Sequence, residues 1–197
     1  MSYHNIEQNS QEWFDLKRGK LTASMFADLF AKDTTQTYWN AIYKVVYERL
    51  SGETPETYSN QWMQRGLELE PIAKEWYELE TFNKVNNGGF FELSDWIGCS
   101  PDGLIDDDGI IEIKCPAYNT QIGYLLDKQL PKIYEWQVCG QLYITDRVWC
   151  DFVSYHPKLP AFVLRVNRDK IKESELILKL NQATDIAEKI INKLKGK

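Results

Sequence analysis

The chain has 197 residues, 43% of them apolar and 13% aromatic, which is enough to fill one core in a single domain spanning residues 1–197. No apolar run approaches the roughly 18 residues of a membrane span, and the first dozen residues lack the basic start and apolar stretch of a secretion signal, so a soluble, cytoplasmic protein with no membrane partner is expected. The net charge of −6 weighs against a polyanionic partner, unless carboxylates gathered at one centre bind divalent cations that reverse the local sign.

Ser10 can cap a short helix through Trp13, Phe14 and Leu16, with Gly19 ending it. Thr22 or Ser24 can cap a second helix carrying Met25, Phe26, Leu29 and Phe30. A third helix has Trp39, Ile42, Tyr43, Val46, Tyr47 and Leu50 on one stripe, with Gly52 just past its end. Trp62 to Glu80 is also helical in pattern, and Pro71 must either kink it or start a fresh helix; Glu70 sits beside that break.

From Lys84 to Cys115 the pattern changes to short strands punctuated by glycine. Helical signals return at Thr120 to Lys128 and at Pro131 to Ile144, followed by strands at Val148 to Tyr155 and Ala161 to Val166. A last helix from about Asp169 to Leu194 buries Leu176, Ile177, Leu180, Ala183, Ala187, Ile190, Ile191 and Leu194. This order predicts an α/β fold with a central mixed β-sheet flanked by helices. Cys99, Cys115, Cys139 and Cys150 are dispersed without zinc-ligand or cluster spacing, so reduced, mostly buried thiols and no iron–sulfur cluster are expected.

The segment Gly98 to Pro116 has the form of a β-hairpin with Asp106-Asp107-Asp108-Gly109 as its turn. Position 107 is the midpoint of 102 and 112, so a regular hairpin sets Asp102 opposite Glu112, with Cβ atoms roughly 4.5–5.5 Å apart. Strand alternation puts Glu112 and Lys114 on one face and Ile111, Ile113 and Cys115 on the other. Oxygen ligands from Asp102, Glu112 and a backbone carbonyl, that of Ile113, suit Mg²⁺, with Mn²⁺ able to substitute. Lys114 is placed to orient or help deprotonate an attacking water. A lone Glu-x-Lys is usually a solvated edge-strand pair; the Pro-Asp at the mirrored position makes the catalytic reading the stronger one.

Four blocks in order, WFDLKRGKLTAS from Trp13, RGLELEPIAKE from Arg65, SPDG with EIKCP between Ser100 and Pro116, and WQVCGQLYIT from Trp136, resemble the lambda-type viral and phage alkaline exonucleases, the YqaJ-like recombinases. These belong to the restriction-endonuclease-like PD-(D/E)xK superfamily. The resemblance implies a Mg²⁺-dependent exonuclease that degrades linear duplex DNA 5′→3′ in recombination by single-strand annealing. It assigns catalytic roles to Asp102, Glu112 and Lys114, makes Glu70 a carboxylate supplied by a helix (through water or at a second metal position), and matches Gln137 to a glutamine directed into the site. Gln141, one turn on, shares its face.

The Thr22-Ala23-Ser24 turn offers a hydroxyl-rich anion site, and the resemblance assigns such a region to the 5′ phosphate. The family arginine slot holds Lys17, with Arg18 next to it, and either can read phosphate. Double-stranded DNA ends, a single-strand annealing protein and a homotrimer are the implied partners, in a host cytoplasm. The competing readings are a restriction or repair endonuclease on the same fold and a nucleic-acid-binding protein without cleavage.

Overall fold

The computed structural model describes residues 1–55 and 61–196. Strand β1 (Ser2–His4) precedes helix α1 (Gln11–Lys17), whose N-cap Ser10 accepts a hydrogen bond from the Trp13 amide. Strand β2 (Leu21–Thr22) leads into a 3-10 turn (Ala23–Met25) and the single-turn helix α2 (Phe26–Leu29). The expected second helix is therefore much shorter than its pattern suggested, and neither Thr22 nor Ser24 caps it with a side-chain hydrogen bond.

Helix α3 (Gln36–Ser51) starts at Thr35 and stops at Gly52, whose φ of +74° lets the chain reverse without Cβ strain. Its apolar stripe differs from the sequence expectation. Tyr38, Ala41, Ile42, Val45 and Val46 are buried, whereas Tyr43, Tyr47 and Leu50 are exposed. Helix α4 (Gln61–Thr81) runs through Pro71 as one helix, so no fresh start occurs there.

Among the described residues nine strands form two mixed sheets rather than one. Strands β4 (Phe90–Ser94) and β5 (Ile97–Cys99) join β1 and β2 in the order β1-β4-β5-β2. The second sheet has β3 (Val85–Asn87), β6 (Gly103–Ile105), β7 (Gly109–Lys114), β8 (Trp149–Ser154) and β9 (Phe162–Asn167), in the order β3-β6-β7-β8-β9. Within it β7 and β8 are parallel and the other neighbours antiparallel. The parallel pair is joined by a crossover through helices α5 (Tyr118–Asp127) and α6 (Lys132–Thr145), as parallel strands require. Helix α7 (Glu173–Leu194) closes the chain; Leu176, Leu180, Ala183, Ala187 and Ile191 are buried, but Leu194 is exposed.

Strand β7 divides two cores. Ile110 packs into the larger one with Phe152 and residues of α3, α6 and α7, while Ile111 and Ile113 join Ala73 and Tyr77 of α4 in the smaller. A buried network ties α4 to the sheet: the Tyr77 hydroxyl donates to Asp151 Oδ2 at 2.5 Å, and the Arg165 guanidinium donates two bonds of 2.8 Å to the same carboxylate. Burial and the Asp151 carboxylate push the Tyr77 hydroxyl up to about 12. Among the described residues no helix is long and apolar enough to cross a membrane. Cys99, Cys139 and Cys150 are buried free thiols, and Cys115 is half-buried.

Candidate active site

The hairpin register is the one the turn arithmetic predicts: Gly103 pairs with Ile111, Leu104 with Ile110, and Ile105 with Gly109. Asp102 stands at the end of this ladder. Its amide donates to the Ile111 carbonyl at 3.1 Å, and its Oδ2 accepts from the Ile113 amide at 2.6 Å. A side-chain oxygen thus takes a backbone donor of the neighbouring strand, which fixes the carboxylate beside Glu112.

Glu112 is 1% exposed and heavily partnered. Lys114 Nζ and Gln137 Nε2 donate to its Oε1, the latter at 2.6 Å, and Gln141 Nε2 donates to Oε2 at 2.6 Å. Both glutamines come from α6, one turn apart on the face packed against β7. Gly140 lets the same helix lie close against α2. A Cβ at that position would lie 2.4 Å from two ring carbons of Phe26, so α6 sits on α2 at a distance only glycine permits. Phe30 and Trp136 stack across the same contact, their centroids 3.4 Å apart.

Burial raises the Asp102 carboxyl well above the usual carboxylate range, and the nearby charges of Glu112 and Glu70 push the same way. For Lys114, burial works against the charge, but Glu112 and Asp102 overcome it and the ammonium is stabilised. Glu70 reaches the site from α4, immediately before Pro71, and pairs with Lys74 at 2.8 Å.

Glu70, Asp102 and Lys114 line a cavity of about 980 Å³ that Lys17, Arg18 and Lys44 also border. An adjoining space of about 180 Å³ is lined by Ser24, Glu112, Gln137 and Gln141, and shares Lys17, Thr22, Glu70, Asp102 and Lys114 with the first. All the residues singled out in the sequence therefore border one pair of cavities. Lys17 borders both and makes no hydrogen bond or ion pair among the described residues; it lies 4.3 Å above the Trp13 ring, whose indole nitrogen donates to Ser100 Oγ at 2.9 Å. Burial, with Lys44 beside it, pushes the Lys17 ammonium down to about 8, against the opposing pull of Glu48. Arg18 is instead paired with Asp15 at 2.7 Å and borders only the larger space. The Thr22 and Ser24 hydroxyls are 3.4 Å apart; with only a 3-10 turn behind them they lack the dipole of a long helix.

Among the described residues no three His, Cys, Asp or Glu side chains converge as a closed metal cage. A hard cation that keeps several waters needs fewer protein ligands. Asp102 and Glu112, with the strand carbonyl at Ile113, fit that requirement, and a cation would offset both the burial that raises Asp102 and, after it, the repulsion from Glu112 and Glu70. Nothing in the local pattern singles out Lys44, and Gln141 is signalled only by its i, i+4 spacing from Gln137.

The chain matches the YqaJ-like viral recombinase domain over residues 12–148 and belongs to that family, as the sequence resemblance implied. Among solved structures it is similar to the alkaline exonuclease LHK-Exo of Laribacter hongkongensis, with 37% identity, a TM-score of 0.88, and 94% of this chain and 96% of that one covered. A second structure of LHK-Exo, in complex with dAMP, superposes with a TM-score of 0.88 at 36% identity, again covering 94% of this chain and 96% of that one. A phage-related exonuclease of Haemophilus somnus shares the fold at 16% identity, with a TM-score of 0.71 and 92% and 97% of the two chains covered. An uncharacterized protein of Acanthamoeba polyphaga mimivirus is 28% identical over 164 residues, which are 75% of this chain but only 29% of that protein. The fold is accordingly the restriction-endonuclease-like α/β core of these nucleases.

Proposed function

We propose that this chain is a metal-dependent exonuclease that degrades linear duplex DNA from its 5′ ends. The observation that carries the reading is the gathering of Asp102, Glu112 and Lys114 around the same small cavity as Lys17, which makes no hydrogen bond or ion pair among the described residues. Asp102, Glu112 and the Ile113 carbonyl would hold Mg²⁺ or Mn²⁺, with Glu70 reaching it through water or at a second position. When bound, the cation supplies Lewis-acid stabilisation of phosphoryl oxygens and lowers the pKa of a coordinated water.

Hydrolysis forms a bond from the water oxygen to phosphorus and breaks the bond from phosphorus to the 3′ oxygen, which takes up a proton. Lys114 orients the attacking water and offsets charge on the transition state, while Gln137 and Gln141 hold Glu112 in place. Cleavage on that side leaves the phosphate on the new 5′ end, so each turnover regenerates an end that Lys17, assisted by Arg18, Thr22 and Ser24, can bind. The released product is a deoxynucleoside monophosphate, the class to which the dAMP in the LHK-Exo complex belongs. The remaining strand is single and 3′-ended, and a single-strand annealing protein in the host cytoplasm is the partner that would use it in recombination. A trimeric ring enclosing the duplex is the assembly proposed with it.

The test compares linear and closed circular duplex in Mg²⁺ and in EDTA, with Lys114→Ala alongside. Nucleotide release from linear DNA only, stopped by EDTA and lost in Lys114→Ala while duplex binding in Ca²⁺ persists, is expected. Cutting of closed circles would replace the reading with the endonuclease one, and binding without cleavage in the wild type would replace it with a non-catalytic one.

A further inference from the structure

Glu112 is a nearly inaccessible carboxylate, and its partners are spread unevenly over its two oxygens. Among the described residues Oε1 accepts from Lys114 and Gln137, whereas Oε2 accepts from Gln141 alone. An ionised carboxylate offers about two acceptor positions on each oxygen. Oε1 is therefore filled, and Oε2 keeps one open position in the smaller cavity that Glu112 and Gln141 both line.

The Gln141 amide makes this arrangement at a cost. Among the described residues its own Oε1 is buried without a hydrogen-bond partner, a state that buried polar groups rarely adopt. Rotating the amide would not relieve it, because the carbonyl oxygen would then face the Glu112 carboxylate, acceptor against acceptor. The orientation is dictated by Glu112, and Gln141 is 1% exposed on a helix where an apolar residue would serve packing as well.

Resting on the reading of Glu112 as a metal ligand, we infer that Gln141 is a positioning residue that locks the Glu112 carboxylate in one orientation and keeps the second position of Oε2 for a hard divalent cation. It acts through Glu112 and need not touch DNA. Partners that orient a metal ligand in this way are typically worth about 10- to 100-fold in metal affinity.

The test is Mn²⁺ binding to the DNA-free protein, followed by electron paramagnetic resonance of the free ion. Wild type, Glu112→Gln, Gln141→Met and Gln141→Asn are compared at matched helical content. Methionine fills the volume without a donor, and asparagine is one methylene too short to reach Oε2. Both are expected to weaken Mn²⁺ binding about 10- to 100-fold. Binding within twofold of wild type in a folded Gln141→Met protein would overturn the inference. The wild type supplies a check that needs no variant. The Gln141 side-chain amide resonance should move on Mg²⁺ addition with the midpoint of metal binding, and an unmoved resonance at saturation overturns the inference equally. Should wild type and Glu112→Gln bind Mn²⁺ alike, the metal reading of Glu112 itself falls, and the role of Gln141 with it.

Discussion

Replacing Gly140 by alanine tests the close contact between α2 and α6, the helix that carries Gln137 and Gln141. The added methyl would stand 2.4 Å from Phe26 Cδ2 and Cε2, where carbon atoms at rest need about 3.5–4.0 Å. Phe26 is fully buried and has nowhere to turn, so α6 must retreat by roughly 1 Å. Overpacking of this kind costs about 1–3 kcal/mol, offset by about 0.8–1 kcal/mol of improved helix propensity. Gly123→Ala in α5 is the control, since a Cβ there meets nothing within 4 Å and only the propensity gain applies. At about 2–4 °C per kcal/mol for a chain of this size, Gly123→Ala should raise Tm by about 2–4 °C, and Gly140→Ala should melt about 2–12 °C below it. A shift of roughly 1 Å in any direction would also spoil the 2.6 Å bonds from Gln137 and Gln141 to Glu112, which must keep to about 2.7–3.2 Å and a near-linear angle to hold. Gly140→Ala is accordingly expected to bind Mn²⁺ more weakly as well. Thermal melts followed by circular dichroism decide the matter: if both variants gain the same stability, the close approach of α6 to Phe26 is not as described.

Asp102→Asn should trade stability for activity. The Asp102 carboxyl is raised in the fold, so it favours folding below the ordinary carboxylate range and loses that contribution as pH rises through its folded value. In EDTA the variant should overtake wild type in Tm as pH rises, while losing cleavage; a wild type that stays the more stable throughout would contradict this. Linear DNA with 5′-phosphorylated ends should be degraded faster than DNA with 5′-hydroxyl ends. Lys17→Ala should narrow that difference by about 10- to 150-fold, the worth of one charged hydrogen bond, and Arg18→Ala by less because Arg18 is already paired with Asp15. Equal rates on both end types in the wild type would remove Lys17 from end recognition. Tyr77→Phe should cost about 1.5–3 kcal/mol by withdrawing a donor from the buried Asp151 carboxylate; an unchanged Tm would show that Arg165 alone satisfies it.

Sequence reading succeeded where local chemistry decides the outcome. The Asp-rich turn and the alternation of Ile111, Glu112, Ile113 and Lys114 located the carboxylates because hairpin register and strand period are set within the segment itself. It failed where the answer depends on a distant partner. Tyr43 and Tyr47 have the spacing of a core stripe, yet α3 turns Tyr38, Ala41 and Val45 inward because α7 covers that side. The first sheet is assembled from distant pieces: β1, a three-residue strand too short to show a period, pairs with β4 more than eighty residues away, and the two-residue β2 pairs with β5. The one-turn α2 looked longer because Met25 and Phe30 continue its apolar pattern while its backbone does not. Gln141 could be seen beside Gln137 on a helical wheel, but its use depended on how closely α6 approaches β7.

The loop from Asp106 to Asp108 is exposed and has the composition of a segment open to change. Its length is nevertheless bound to the chemistry. Adding or removing one residue on the β7 side would shift every later side chain of that strand to the opposite face. Glu112 and Lys114 would then point at Ala73 and Tyr77, and Ile111 and Ile113 would be turned toward Asp102. Natural variation in this turn should therefore be rich in substitutions and poor in single-residue insertions, with length changing only where the pairing of Asp102 with the Ile113 amide can be rebuilt.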